Sequence, residues 1–132
     1  MATIFTTRLN VRSYELDSFG HVNNATYLNY LEYARGDYLR QRGLSFADFH
    51  QWDARPFVVH VEISYRASCR VHDDLEIRGW ISAWSRTGFV MSYELFNHSS
   101  GRLAAEAQMK FAFVNQLEKV VRIPAPFREK MQ

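Results

Sequence analysis

The chain has 132 residues, of which 47% are hydrophobic and 23% charged, with 16 basic and 14 acidic side chains for a formal net charge of +2. That length makes one domain, spanning 1–132, and the apolar share excludes intrinsic disorder. The scattered basic residues, densest only over Arg35 to Arg42, exclude a nucleic-acid surface, and a single cysteine, Cys69, excludes an intramolecular disulfide and a multi-cysteine metal site.

The first residues, Met1 to Arg8, lack the apolar core of a signal peptide, and no run approaches the ~18 apolar residues of a membrane span. A soluble, cytoplasmic protein is expected. Residues Thr3 to Glu15 alternate, with Phe5, Leu9 and Val11 against Thr6, Arg8, Asn10 and Arg12, which predicts a first strand. Gly20 to Asn24 form a turn, with Asn23 or Asn24 as N-cap of a helix running to about Gln41. Along that helix Tyr27, Tyr30, Leu31, Ala34, Tyr38 and Leu39 recur at three- and four-residue spacings and define one apolar face, and Gly43 stops it.

The polar stretch Ser45 to Arg55 carries Phe46, Phe49 and Trp52 and is expected to pack on the domain. Four strands follow. In Phe57 to Arg66, the residues Phe57, Val59, Val61, Ile63 and Tyr65 share one face. Leu75, Ile77, Ile81 and Ala83 share a face of the next strand, with Trp80 and Trp84 opposite. Phe89, Met91, Tyr93 and Leu95 do so in the third strand, and Leu103, Ala105, Ala107, Met109, Phe111 and Phe113 in the last, Arg102 to Asn115. Pro124 and Pro126 mark the exit from the fold. The order β-α-β-β-β-β predicts an α+β domain, in which one long helix buries its stripe on a largely antiparallel sheet.

The chemistry concentrates between the first strand and the helix. Asp17 sits on a turn, followed by Gly20, His21, Val22, Asn23 and Asn24, then by Tyr27 on the first helical turn. A carboxylate beside the free N–H groups of a helix start can activate water or attack a carbonyl while those N–H groups hold the oxyanion.

The pattern Asp17, Gly20, His21, Val22, Asn23, Asn24 and Tyr27, followed by Glu32, Ala34 and Arg35, resembles the active-site segment of the hotdog-fold acyl-CoA thioesterases, specifically the 4-hydroxybenzoyl-CoA thioesterase-like family. The resemblance implies a hotdog fold and hydrolysis of a fatty or aromatic acyl-CoA to free acid and CoA. It implies that Asp17 is the catalytic base or nucleophile, with Gly20, His21, Val22, Asn23, Asn24 and Tyr27 forming the oxyanion hole and positioning substrate. It makes Glu32 a secondary candidate.

His60, on a polar strand face, is a second such candidate, and Arg66 and Arg86 are candidates for the CoA phosphates because guanidinium matches phosphate geometry. No metal is expected, since the five histidines show no ligand spacing, and no cofactor beyond the CoA thioester that is the substrate. The absence of a Gly-x-Ser-x-Gly elbow argues against a serine hydrolase. An apolar outer sheet face, with Trp80, Trp84, Val90 and Phe96, points to a homodimer with the site between subunits, or to a homotetramer. The alternatives are an acyl-carrier-protein thioesterase, a dehydratase or hydratase, and a non-catalytic acyl-CoA-binding module.

Overall fold

The computed structural model describes residues 2–132. Five strands form one antiparallel sheet: β1 (Phe5–Asn10), β2 (Arg55–Tyr65), β3 (Asp74–Trp84), β4 (Gly88–Asn97) and β5 (Arg102–Val114), in the spatial order β1-β3-β4-β5-β2. Three helices accompany them: α1 (Thr26–Gln41), α2 (Phe46–Trp52) and α3 (Ala125–Met131).

Alternation sets the face of each strand. Phe5, Thr7 and Leu9 of β1 are buried between exposed neighbours. In α1 the three- and four-residue spacing buries Tyr27, Tyr30, Leu31, Ala34 and Tyr38 on one side. Tyr38 is the tightest link between helix and sheet. Its hydroxyl donates to the Ile77 carbonyl at 2.6 Å, and its ring lies so close to β3 that a Cβ on Gly79 would sit 2.6 Å from Cε2. Glycine there is what allows the helix onto the strand.

Several expectations are corrected. The first strand ends at Asn10, because Ser13–Glu15 form a 3₁₀ turn that redirects the chain. Neither asparagine caps α1: the N-cap is Ala25, and Asn23 Oδ1 instead accepts the Ala25 N–H at 2.9 Å, closing a turn just before the helix. The polar stretch after Gly43 does pack on the domain, but as helix α2, begun by a Ser45–Asp48 capping box. Pro124 does not mark an exit. It precedes α3, whose Phe127 and Met131 are buried.

Three bulges invert strand parity. In β5 the extra residue is Ala104, which is buried, so Leu103 pairs with Phe96 and leaves the face it was expected to share with Ala105. In β3 the register shifts between Ile81 and Ala83, exposing Ala83 and turning Trp84 to the core side, 5.7 Å from the Phe89 ring and 6.2 Å from Phe127. In β2 the shift falls between Val58 and His60, so Val58, Val61 and Ile63 pack on the core while Phe57 and Val59 are exposed. The outer sheet face therefore lacks Trp84 and is more polar than expected. Glu76 gathers there the Nε of Arg78 at 2.5 Å and of His98 at 2.7 Å, with Arg8 at 3.7 Å.

Candidate active site

The loop between the 3₁₀ turn and α1 folds around the Asp17 side chain. Asp17 Oδ1 accepts the Phe19 N–H at 2.9 Å and the His21 N–H at 3.2 Å. The Asp17 N–H donates to the His21 carbonyl at 2.7 Å, and the Gly20 N–H to the Asp17 carbonyl at 3.1 Å. Gly20 completes this turn at φ +80°, the left-handed region where a side chain is strained. Oδ2 accepts no hydrogen bond among the described residues, so one carboxylate oxygen is pinned and the other is available for chemistry.

Glu15, two residues earlier, anchors the loop. Its buried carboxylate accepts the Arg12 N–H at 2.8 Å, Arg12 Nη2 at 2.7 Å and the Tyr30 hydroxyl of α1 at 2.7 Å, while its carbonyl accepts the Asn23 N–H at 3.0 Å. Burial works to raise the Glu15 pKa, but the Arg12 N–H, the Tyr30 hydroxyl and the Arg12 guanidinium together hold it below its ordinary value of 4.5. The unfolded chain therefore binds more protons than the folded one in acid, so Glu15's contribution is fully present above about pH 4.5 and is lost as pH falls through the lowered folded value. Thermal melts from neutrality down to about pH 3 are expected to show wild type losing stability faster than Glu15→Gln, which starts lower and lacks this titration. Parallel slopes would remove Glu15 as the anchor.

Asp17 and His21 line an open depression of about 390 Å³ together with Asn24, Tyr27, Tyr65 and Arg66. Tyr65 closes one wall: its hydroxyl donates to the Asn24 carbonyl at 2.8 Å, and its ring stands edge-on to Tyr27 at 5.1 Å. The loop N–H groups divide unequally. Val22 donates to the Cys69 carbonyl at 2.9 Å and Asn23 to the Glu15 carbonyl at 3.0 Å, so neither N–H is free for an oxyanion, which corrects the expectation that Val22 and Asn23 help form the oxyanion hole. The Asn24 N–H, at the start of α1, donates to no described residue.

The remaining candidates separate. Arg66 reaches the depression, but its guanidinium pairs with Glu106 at 2.9 Å. Glu32 is 76% exposed on α1, 3.9 Å from Arg35, and does not line the depression. His60 points to solvent beside Glu62 at 3.4 Å, five residues back along β2 from Tyr65, or about 17 Å of strand. Arg86 lies on the β3–β4 turn, at the end of β3 opposite Asp74, where β3 pairs with Asn10, the end of β1 that leads to the Asp17 loop. Tyr65, Glu15 and Tyr30 were not singled out. The Arg12–Glu15 spacing was a signal for the anchor, whereas nothing local marks Tyr65. Among the described residues no group of three or more His, Cys, Asp or Glu gathers as a metal site, and no helix is long and apolar enough to cross a membrane.

Residues 11–131 match the family described as the thioesterase-like superfamily. The chain is 30% identical over 131 residues to the long-chain acyl-CoA thioesterase FadM of Escherichia coli strain K12, covering 96% of each. It is 26% identical over 130 residues to the chloroplastic acyl-acyl carrier protein thioesterase ATL3 of Arabidopsis thaliana, covering 98% of this chain and 68% of that one. The crystal structure of a hypothetical protein from Aquifex aeolicus superposes with a TM-score of 0.90 at 27% identity, covering 97% of this chain and 99% of that one.

Proposed function

Because the chain belongs to the thioesterase-like superfamily, has the hotdog fold and is a thioester hydrolase, we propose that it hydrolyses an acyl-CoA to free acid and CoA at the Asp17 depression. The observation that carries this reading is the pairing of a pinned carboxylate that keeps one free oxygen with an unengaged Asn24 N–H at a helix start. Asp17 Oδ2 takes a proton from water as that water attacks the thioester carbonyl, or attacks the carbonyl itself to give an acyl anhydride that water then opens. In either route the carbonyl oxygen gains charge that the Asn24 N–H and the positive end of α1 stabilise, and the CoA thiolate leaves. His21 orients the substrate from the depression wall, Tyr27 and Tyr65 flank the thioester, and Arg66 faces the CoA phosphates.

The likeness to FadM favours a fatty acyl group over an aromatic one. The likeness to ATL3 supports acyl carrier protein as the alternative thiol carrier. The open edge of β2, with Phe57, Val59 and Tyr65 exposed along its length, supports a homodimer formed along that edge. Free-thiol release from aromatic and C4 to C18 acyl-CoA thioesters, with matched acyl carrier proteins, tests the reading. Turnover of the CoA series is the expected result. Turnover of carrier-bound acyl groups alone would transfer the assignment to the carrier protein.

A further inference from the structure

Three hydrogen bonds fix the backbone on either side of the Asn24 N–H, and one of them comes from a distant strand. Asn23 supplies two. Its carbonyl accepts the Thr26 N–H at 2.9 Å, and its Oδ1 accepts the Ala25 N–H at 2.9 Å. The first holds the peptide that carries the Asn24 N–H, and the second holds the N–H end of the peptide that follows. The third comes from β2, where the Tyr65 hydroxyl donates to the Asn24 carbonyl at 2.8 Å. The peptide after Asn24 is therefore held at both ends, by a side chain of its own turn and by the sheet.

Tyr65 is itself held in place. It is the last residue of β2 and pairs with Ala105 of β5. Its ring stands edge-on to the buried Tyr27 of α1, with 5.1 Å between centroids. Tyr65, Tyr27 and Asn24 all line the Asp17 depression. Asn24 and Tyr65 are 41 positions apart, so their hydrogen bond is a tertiary link that ties the start of α1 to the end of the strand. The two Asn23 bonds are local to the turn and cannot set its direction relative to the sheet. A dipole that stabilises developing charge acts best when it is already aimed before the reaction begins.

We propose that Tyr65 is a positioning residue for the reaction: its hydroxyl holds the Asn24 carbonyl, and so keeps the Asn24 N–H in the direction that meets the thioester oxygen as it gains charge. This rests on the reading of the Asp17 depression as the thioester site. The Tyr65 hydroxyl gives its hydrogen to the backbone, so its effect on the thioester passes through Asn24. The effect belongs to the transition state more than to the bound substrate, because the oxygen is most negative there. Loss of the hydroxyl therefore lowers kcat and leaves KM nearly untouched.

Tyr65→Phe keeps the ring that stands against Tyr27 and removes the hydrogen bond to Asn24. The substrate is the acyl-CoA that wild type hydrolyses fastest among aromatic and C4 to C18 thioesters. Deleting an oxyanion donor outright costs roughly 10²–10³ in kcat, so loss of its aim is expected to lower kcat roughly tenfold with KM within about twofold. The second readout is the carbonyl stretch of that thioester, ¹³C-labelled and bound to Asp17→Asn, which slows turnover. Polarisation by the Asn24 N–H lowers this frequency, and adding Tyr65→Phe is expected to raise it. An unchanged kcat, or a kcat loss with the frequency unmoved, would overturn the positioning role while an active wild type keeps the hydrolase reading. A wild type that turns over none of the thioesters would overturn both.

Discussion

The Asp17→Asn variant hydrolyses its best acyl-CoA with kcat lowered roughly 10²-fold or more and KM little changed, the scale set by losing a positioned base. Asparagine is the informative replacement because its Oδ1 can still accept the Phe19 and His21 N–H groups, so the turn that shapes the depression survives. What disappears is the negative charge and the basic second oxygen. Steady-state thiol release on wild type and variant, with circular dichroism as the check on folding, measures the effect. Retention of more than about a tenth of the rate would remove Asp17 from the chemistry, since general acid–base groups contribute at least 10²-fold. A single turnover in ¹⁸O-labelled water then distinguishes its two roles. Direct attack by water puts the label in the product acid. An anhydride opened at the Asp17 carbonyl leaves it in the enzyme.

The Phe127→Ala variant is expected to lose about 3–5 kcal/mol of stability, the usual range for deleting a fully buried phenylalanine. Phe127 closes the aromatic end of the core, with its ring centroid 4.9 Å from Phe113, 5.4 Å from Phe89, 6.0 Å from Phe49 and 6.2 Å from Trp84. It thereby joins three elements far apart in sequence, α2, the β3–β4 hairpin and β5, to the C-terminal helix. Truncation opens a cavity among closely packed aromatic rings. Urea unfolding at constant slope reads the loss as a lower midpoint. Phe46→Ala, at a side chain 88% exposed on α2, is the matched control and is expected to shift stability by less than about 0.5 kcal/mol. A Phe127→Ala loss below about 1 kcal/mol would mean that α3 does not belong to the cooperative core.

The depth at which the site was legible follows from how local each feature is. Asp17 and the residues to Tyr27 are one continuous segment, and the loop they form is held mainly by bonds among residues 15 to 26, so residue types and spacings were sufficient to locate it. Which N–H groups remain free was not legible. Val22 is engaged by Cys69, a residue 47 positions later, and only the packed loop decides that Asn24 is the one left over. Tyr65 and Arg66 reach the depression because β2 runs along β5 and ends there, and no motif in their own surroundings marks them. His60 and Arg86 carry suitable chemistry, and strand geometry places them elsewhere.

By itself the sequence determined the helix α1, four of the five strands nearly to their ends, the turn that carries Asp17, and the thioesterase resemblance, because periodicity, turn chemistry and a contiguous motif are all properties of neighbours in the chain. The tertiary structure alone decided the faces beyond each bulge, where a single extra residue in β2 or β3 inverts a two-residue period and moves Phe57 outward and Trp84 inward. It decided that the segment after Pro124 folds back as α3, since a seven-residue helix owes its stability to the aromatic cluster it covers rather than to its own propensity.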